Sequence, residues 1–163
     1  MRIRDAVEAD LPAIVAIYNS TIPDRTVTGD LEPVSVESRL DWFHSHSPDK
    51  RPLWVVESAD EIAGWLGWQS FYGRPAYDIT AELSIYVAPA CRCRGIGRLL
   101  LQAAIEKSSA LGIKTLLGFI FADNQPSLRL FEQFGFERWG YLPQVAQFGD
   151  DRRDLVIVGL KLD

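Results

Sequence analysis

Between positions 79 and 87 polar and apolar residues alternate: Thr80, Glu82, Ser84 and Tyr86 against Ala81, Leu83, Ile85 and Val87. A period of two predicts a strand with one set of side chains on each face. Shorter stretches of strand character fall over 2–4, 53–57 and 62–71, with a turn over 58–61. The apolar run over 115–121 predicts a buried strand, and 136–145 and 153–162 read as closing strands. Elsewhere the period lengthens. Leu11, Ile14, Val15, Ile17 and Tyr18 share one stripe of a helix over 10–20. Ser35 can cap a second helix carrying Val36, Leu40, Trp42 and Phe43, after a polar loop over 23–33. A third helix over 97–111 ends at Gly112, a residue suited to the left-handed cap. A fourth, over 127–134, has Pro126 in its first turn and Gly135 beyond its end. Gly73 and Pro75 break the chain before the 79–87 strand, and Pro89 stops it. The order β-α-α-β-β-β-α-β-α-β-β predicts one α/β domain over 1–163, a mixed sheet with helices on its faces.

Composition narrows the partners. Acids outnumber bases 22 to 17, which argues against a nucleic-acid partner, since that would need a basic face. No run approaches the ~20 apolar residues of a membrane span. The opening MRIRDAVEADL is charged where a secretory signal would be apolar, so a cytoplasmic protein is expected. Two cysteines are too few for a disulfide framework and suit a reducing compartment.

The stretch ACRCRGIGRLL, residues 90–100, concentrates the candidate chemistry. Cys91 and Cys93 stand closer than the usual zinc pair, and His44 and His46, the remaining soft candidates, lie far upstream, so no metal is expected. A redox pair more often reads C-x-x-C. The cysteines are read as small fillers, although the flanking arginines can sensitise a thiol to oxidation. What the stretch does offer is an anion cradle. It joins a strand to a helix whose first N–H groups have no intrahelical acceptor. The helix dipole adds positive charge there, Gly95 and Gly97 admit unusual backbone and close approach, and Arg92, Arg94 and Arg98 suit phosphate oxygens.

The spacing Arg92-x-x-Gly95-x-Gly97 resembles the acetyl-CoA signature of the GNAT acetyltransferases. NQPSLRLFEQFGF, residues 124–136, is similar to a second segment of that superfamily. AYDITAELSIYV, residues 76–87, resembles the branch of phosphinothricin and methionine sulfoximine acetyltransferases, as do IYN at 17–19 and WF at 42–43. The resemblance implies the GNAT fold, in which two central parallel strands splay to admit acetyl-CoA. It implies a pantetheine arm lying along the backbone of Ile85, Tyr86 and Val87. Amides of Cys93, Arg94, Gly95, Ile96, Gly97 and Arg98 would wrap the pyrophosphate, with Arg92 beside them and Asn124 touching the cofactor near the following helix. Relatives are often dimers, so a homodimer is expected.

Amines are mostly protonated at pH 7, so direct acetyl transfer needs a base. Read by pattern alone, Glu82 is a glutamate on a solvated sheet face; the resemblance makes it the proposed base, acting directly or through water. In the same light Arg74 and Tyr77 would bind an amino-acid-like acceptor. Three departures from the branch stand out: Tyr72 and Gln147 replace an arginine and a lysine of the expected acceptor pocket, and Phe131 replaces a potential proton donor. Arg152 and Arg153 read as surface charges that could compensate. Trp42, Phe43, Trp65 and Trp68 are candidates to line an acceptor cleft, though Trp65 and Trp68 have opposite strand parity and most of the four suit a core. A small-molecule N-acetyltransferase is the favoured reading. A peptide or protein N-terminal acetyltransferase and a non-catalytic acyl-CoA sensor are the alternatives.

Overall fold

In a computed structural model, which describes residues 1–163, all seven expected strands and all four expected helices form. The strands are β1 (Arg2–Asp5), β2 (Leu53–Ser58), β3 (Glu61–Ser70), β4 (Thr80–Val87), β5 (Thr115–Phe121), β6 (Glu137–Phe148) and β7 (Asp151–Lys161). The helices are α1 (Leu11–Ser20), α2 (Leu40–His44), α3 (Ile96–Ser108) and α4 (Gln125–Gln133). No helix is long and apolar enough to cross a membrane.

The boundaries that moved did so for local reasons. Only 40–44 of the second helix is α-helical, because a 3-10 turn over Glu37–Arg39 precedes it and takes the Ser35 cap, with Ser38 N–H donating to Ser35 Oγ at 3.1 Å. Asn124 caps α4 by accepting from Ser127 N–H at 3.3 Å, so that helix starts at Gln125. β6 runs on to Phe148, beyond the expected end at 145. A register shift between Leu142 and Ala146, with Gln144 at φ +53°, breaks the alternation and turns Val145 to solvent.

The sheet order is β1-β2-β3-β4-β5-β7-β6. Every neighbouring pair is antiparallel except β4 and β5. That parallel ladder is short: Thr80, Ala81 and Glu82 face Thr115, Leu116 and Leu117, and there it ends. Beyond it each strand follows its outer neighbour, β4 pairing with β3 as far as Val87 and β5 with β7 as far as Phe121. The two halves of the sheet therefore part immediately after Glu82.

Two apolar layers clamp this forked sheet. On one face α3 and α4 bury Leu100, Leu101, Leu128 and Phe131 against Trp68, Leu83, Leu116 and Val156. Fully burying a leucine of this kind contributes about 1.5–3 kcal/mol. On the other face Ile14 and Ile17 of α1 pack on Leu53, Val55 and Trp65. Trp65 and Trp68 thus serve opposite faces, as their parity requires. The bulge in this strand pair falls earlier, where β2 shifts register between Val56 and Glu57.

Arg4 ties α1 to the sheet. Its guanidinium grips the Asp10 carboxylate at 2.7 and 2.9 Å and Glu57 at 2.8 Å, while Asp10 also accepts from Val7 N–H at 2.8 Å. The hydrogen bond from Arg4 holds the Asp10 carboxyl below the usual aspartate range. This contribution is present above an ordinary aspartate pKa of about 3.9 and is lost as pH falls toward the depressed folded value. Arg4 keeps 22% of its side-chain surface exposed, so the pair is worth less than a fully buried one. Arg4→Met is expected to cost about 2 kcal/mol in urea denaturation at pH 7. The gap between variant and wild type should narrow in acid, and a gap of the same size at pH 3 would contradict this role.

Candidate active site

The stretch after β4 folds as a tight loop. A 3-10 turn over Pro89–Cys91 closes with Cys91 N–H on the Ala88 carbonyl at 2.8 Å. Cys93 and Gly95 then take left-handed conformations, φ +61° and +80°. Left-handed residues of this kind bring successive backbone N–H groups together in an anion-binding concavity. The Leu99 N–H bonds to the Gly95 carbonyl at 2.9 Å as α3 begins. The N–H groups of Ile96, Gly97 and Arg98 have no intrahelical acceptor. Gly97 has a packing reason of its own: a Cβ there would stand 3.0 Å from Leu130 of α4.

Between 83 and 105 the chain carries three arginines and no acid. Arg94 is exposed, Arg92 lies 3.9 Å from Asp24, and Arg98 bonds Gln133 with its guanidinium over Phe134. Cys91 is half-buried against the core and Cys93 is exposed, both as free thiols. The histidines serve the end of α2, away from these thiols. His44 lies 3.5 Å from Glu8, and His46 Nδ1 donates to the Trp42 carbonyl at 2.9 Å.

The fork supplies the second part of the site. Ala88 N–H reaches the Ala63 carbonyl of β3, while the Ile79 carbonyl accepts from Lys114 and Thr115 on the β5 side. Alternation from these two fixed points directs the backbone groups of Leu83, Ile85 and Val87 toward β5. Past Glu82 no β5 strand is there to meet them. Tyr86, by contrast, is paired with Trp65 of β3. Asn124 is buried at the start of α4, its Oδ1 used by the cap.

Glu82 stands at the apex of the fork, opposite Gln69 on β3. It shares its face with Ser84 and Tyr86 rather than with the core-facing Ala81 and Leu83. Burial pushes its carboxyl above the usual glutamate range. Next to it, on the same face, lies a cavity of about 190 Å³. Ile14, Val15 and Tyr18 of α1, Val34 and Trp42 form its walls, with Trp65 and Tyr86 stacked at 4.5 Å. Its polar lining is Arg39, Gln69 and Ser84. Burial, foremost, drives the Tyr86 phenol far above its usual range.

Of the four aromatic candidates, Trp42 and Trp65 line this cavity; Trp68 is in the opposite core, and Phe43 packs from α2 against the cluster of Ile14, Ile17, Leu53, Val55 and Trp65. Arg74 and Tyr77 are not part of it. They sit in the exposed loop before β4, where Arg74 lies over the Tyr72 ring at 5.8 Å and Tyr77 packs against Phe71 and Tyr72. Glu82 therefore lies between two clusters, this loop at one end of β4 and the cavity at the other. Phe131 is 4% exposed, edge-on to Phe136 at 4.9 Å and packed beneath Gly118, so it offers no proton at the site. Gln147 donates to the Gly149 carbonyl at 2.8 Å. Arg153 is held by Asp151, Asp123 and the Arg25 carbonyl, which leaves Arg152 exposed. Arg39 and Gln69 had no local motif to announce them, and Tyr18 and Ser84, though inside the IYN and AYDITAELSIYV segments, carried no predicted role. Only the folding of α1 and α2 over β3 and β4 brings them together.

A loop with two left-handed residues before a helix start, an open fork and a half-buried carboxylate at its apex fit a nucleotide thioester donor, and known proteins of this kind are similar. Residues 14–136 match the acetyltransferase (GNAT) family. A Bacillus subtilis (strain 168) protein, YwnH, whose name proposes phosphinothricin acetyltransferase activity, is 50% identical over 99% of both chains. The L-methionine sulfoximine/L-methionine sulfone acetyltransferase of Pseudomonas aeruginosa is 36% identical over 99% of this chain and 94% of its own. The crystal structure of a phosphinothricin acetyltransferase from Sinorhizobium meliloti in complex with acetyl-CoA superposes with a TM-score of 0.92 at 27% identity, covering 99% of this chain and 88% of the other. The chain belongs to the GNAT acetyltransferase family and is an acetyl-CoA-dependent N-acetyltransferase.

Proposed function

We propose that the enzyme acetylates the amine of a small amino-acid-like acceptor of the phosphinothricin or methionine sulfoximine type, with Glu82 as general base. The observation that carries this reading is the position of Glu82, a half-buried carboxyl on the last rung of the β4–β5 ladder, beside a cavity of side-chain size. The names of the relatives support the acceptor class.

Acetyl-CoA supplies an activated acetyl thioester. The protein supplies the rest. Loop amides from Cys93 to Arg98, with Arg92, Arg94 and Arg98 around them, hold the pyrophosphate. Asn124 flanks the same site. Ile85 and Val87 present backbone groups in the fork and receive the pantetheine arm as a sheet edge receives a strand. Tyr86 serves through its side chain, which walls the cavity. Arg74 and Tyr77 receive the acceptor's carboxylate.

Glu82 removes a proton from the ammonium, directly or through one water, and the neutral amine attacks. Its raised pKa brings the base closer to the working pH, which favours proton transfer. Phe131 provides no acid, and none is required, because a thiol of pKa about 8.5 leaves tolerably well as thiolate. Attack is direct, so neither cysteine acts as nucleophile. The expected homodimer has a surface to form on: β6 is a free sheet edge and exposes Trp139, Tyr141, Leu142 and Val145.

Glu82→Gln should lower acceptor-dependent thiol release with phosphinothricin or methionine sulfoximine by roughly 10²- to 10⁴-fold, with calorimetric acetyl-CoA affinity unchanged. Wild-type turnover in that variant would remove Glu82 from the mechanism. A parallel screen of peptides separates the N-terminal acetyltransferase, and tight binding without thiol release across amines would identify a sensor.

The pH profile carries a second signature. Wild-type kcat/KM should fall on the acid side with a midpoint above an ordinary glutamate pKa of about 4.3, and Glu82→Gln should lack that limb. The folded state binds the Glu82 proton more tightly than the unfolded chain. Stability therefore falls as pH rises from the ordinary value through the raised folded one. The variant should gain on wild type across that window in thermal denaturation and hold its lead above it.

At the loop, Gly95→Val puts a β-branched residue at φ +80° and should weaken acetyl-CoA binding by roughly tenfold while the circular dichroism spectrum is kept. Unaltered affinity would place the nucleotide elsewhere. Sedimentation should give twice the 18.3 kDa mass of one chain, and a monomer at micromolar concentration would contradict the dimer.

A further inference from the structure

Resting on the amino-acid reading above, we infer that Arg39 is the specificity-determining anchor for the acceptor's side-chain terminus, and that this terminus carries hydrogen-bond-accepting oxygens. The cavity beside Glu82 has apolar walls and a single ionic group in its lining, Arg39. At about 190 Å³ it has room for a compact side chain. That is the size of an aliphatic stem with a compact polar head.

The guanidinium is fixed before any acceptor arrives. It lies 4.9 Å from the Tyr18 ring centroid and 5.7 Å from that of Trp42, and its Nη2 stands 3.3 Å from Asp30. Asp30 engages one edge of the group, and Tyr18 Oη also donates to Asp30. A guanidinium has five N–H donors in a rigid fork, so most remain for a ligand. Gln69 and Ser84 are uncharged, and no carboxylate lines the cavity, so a cationic terminus meets Arg39 unpaired while an oxygen-rich one is bonded.

The placement on β4 supplies the rest of the geometry. Glu82 and Ser84 share a face two residues apart, about 6–7 Å along the strand. An amine held at Glu82 thus has the cavity within reach of its own side chain on one side and Arg74 with Tyr77 on the other. An α-amino acid fits that division: carboxylate toward the loop, amine at the fork, side chain toward Arg39.

The test compares acceptors that share a stem and differ at the tip: methionine sulfone and phosphinothricin against norleucine, with acetyl-CoA as donor. Wild type should favour the oxygen-tipped acceptors. Arg39→Met should lose roughly 10- to 100-fold in kcat/KM on them, chiefly through KM, and little on norleucine. Arg39→Lys, which keeps the charge without the fork, should fall between, and Asp30→Asn should preserve the preference. Acetyl-CoA affinity by calorimetry reports that each variant is folded. Equal losses on both kinds of acceptor, or no loss, would overturn the assignment and leave the acetyltransferase reading standing. A wild-type enzyme that acetylates no free amino acid would instead overturn the acceptor reading, and this inference with it.

Discussion

Three parallel rungs hold the two halves of this sheet together, and the site exists because there are only three. Thr80, Ala81 and Glu82 pair with Thr115, Leu116 and Leu117, after which β4 stays with β3 and β5 with β7. A longer ladder would consume the backbone groups that now face the gap and would leave Glu82 in mid-sheet. The fork is held open from outside, by α3 and α4 packed on one face and α1 on the other.

The fork orders the chemistry along a single strand. The loop before β4 carries Arg74 and Tyr77, the strand carries Glu82 and then Ser84 and Tyr86, and the loop after it carries the left-handed residues at Cys93 and Gly95. On the proposed mechanism, acceptor, base and donor sites follow one another over about twenty residues of chain. Burial raises the affinity of Glu82 for its proton, and the same burial costs stability when the group ionises. A carboxyl buried in this way is, once ionised, less stable in place than a neutral isostere would be.

Much of this was legible in the primary structure because each feature rests on local spacing. Strict alternation over 79–87 placed Glu82 on the face away from Ala81 and Leu83, and the glycine and arginine spacing after Val87 marked a loop leading into a helix. The opposed faces of Trp65 and Trp68 followed from parity alone. The length of β6 did not follow, because the irregularity at Gln144 interrupts the pattern that would have declared it. Which side the backbone groups of Ile85 and Tyr86 face needed the register with β3. Arg39 was invisible for another reason. It belongs to a 3-10 turn with no motif, and it meets Ser84 and Gln69 only after α1 and α2 have packed across the sheet.

Amide hydrogen exchange with and without acetyl-CoA tests the central claim most directly. If the open fork and the loop beyond it hold the donor, added acetyl-CoA should slow exchange at Ile85, Val87 and the amides from Cys93 to Arg98, while Tyr86, already paired with β3, should change little. Uniform exchange along β4 and its loop, unaltered by saturating acetyl-CoA, would contradict the account.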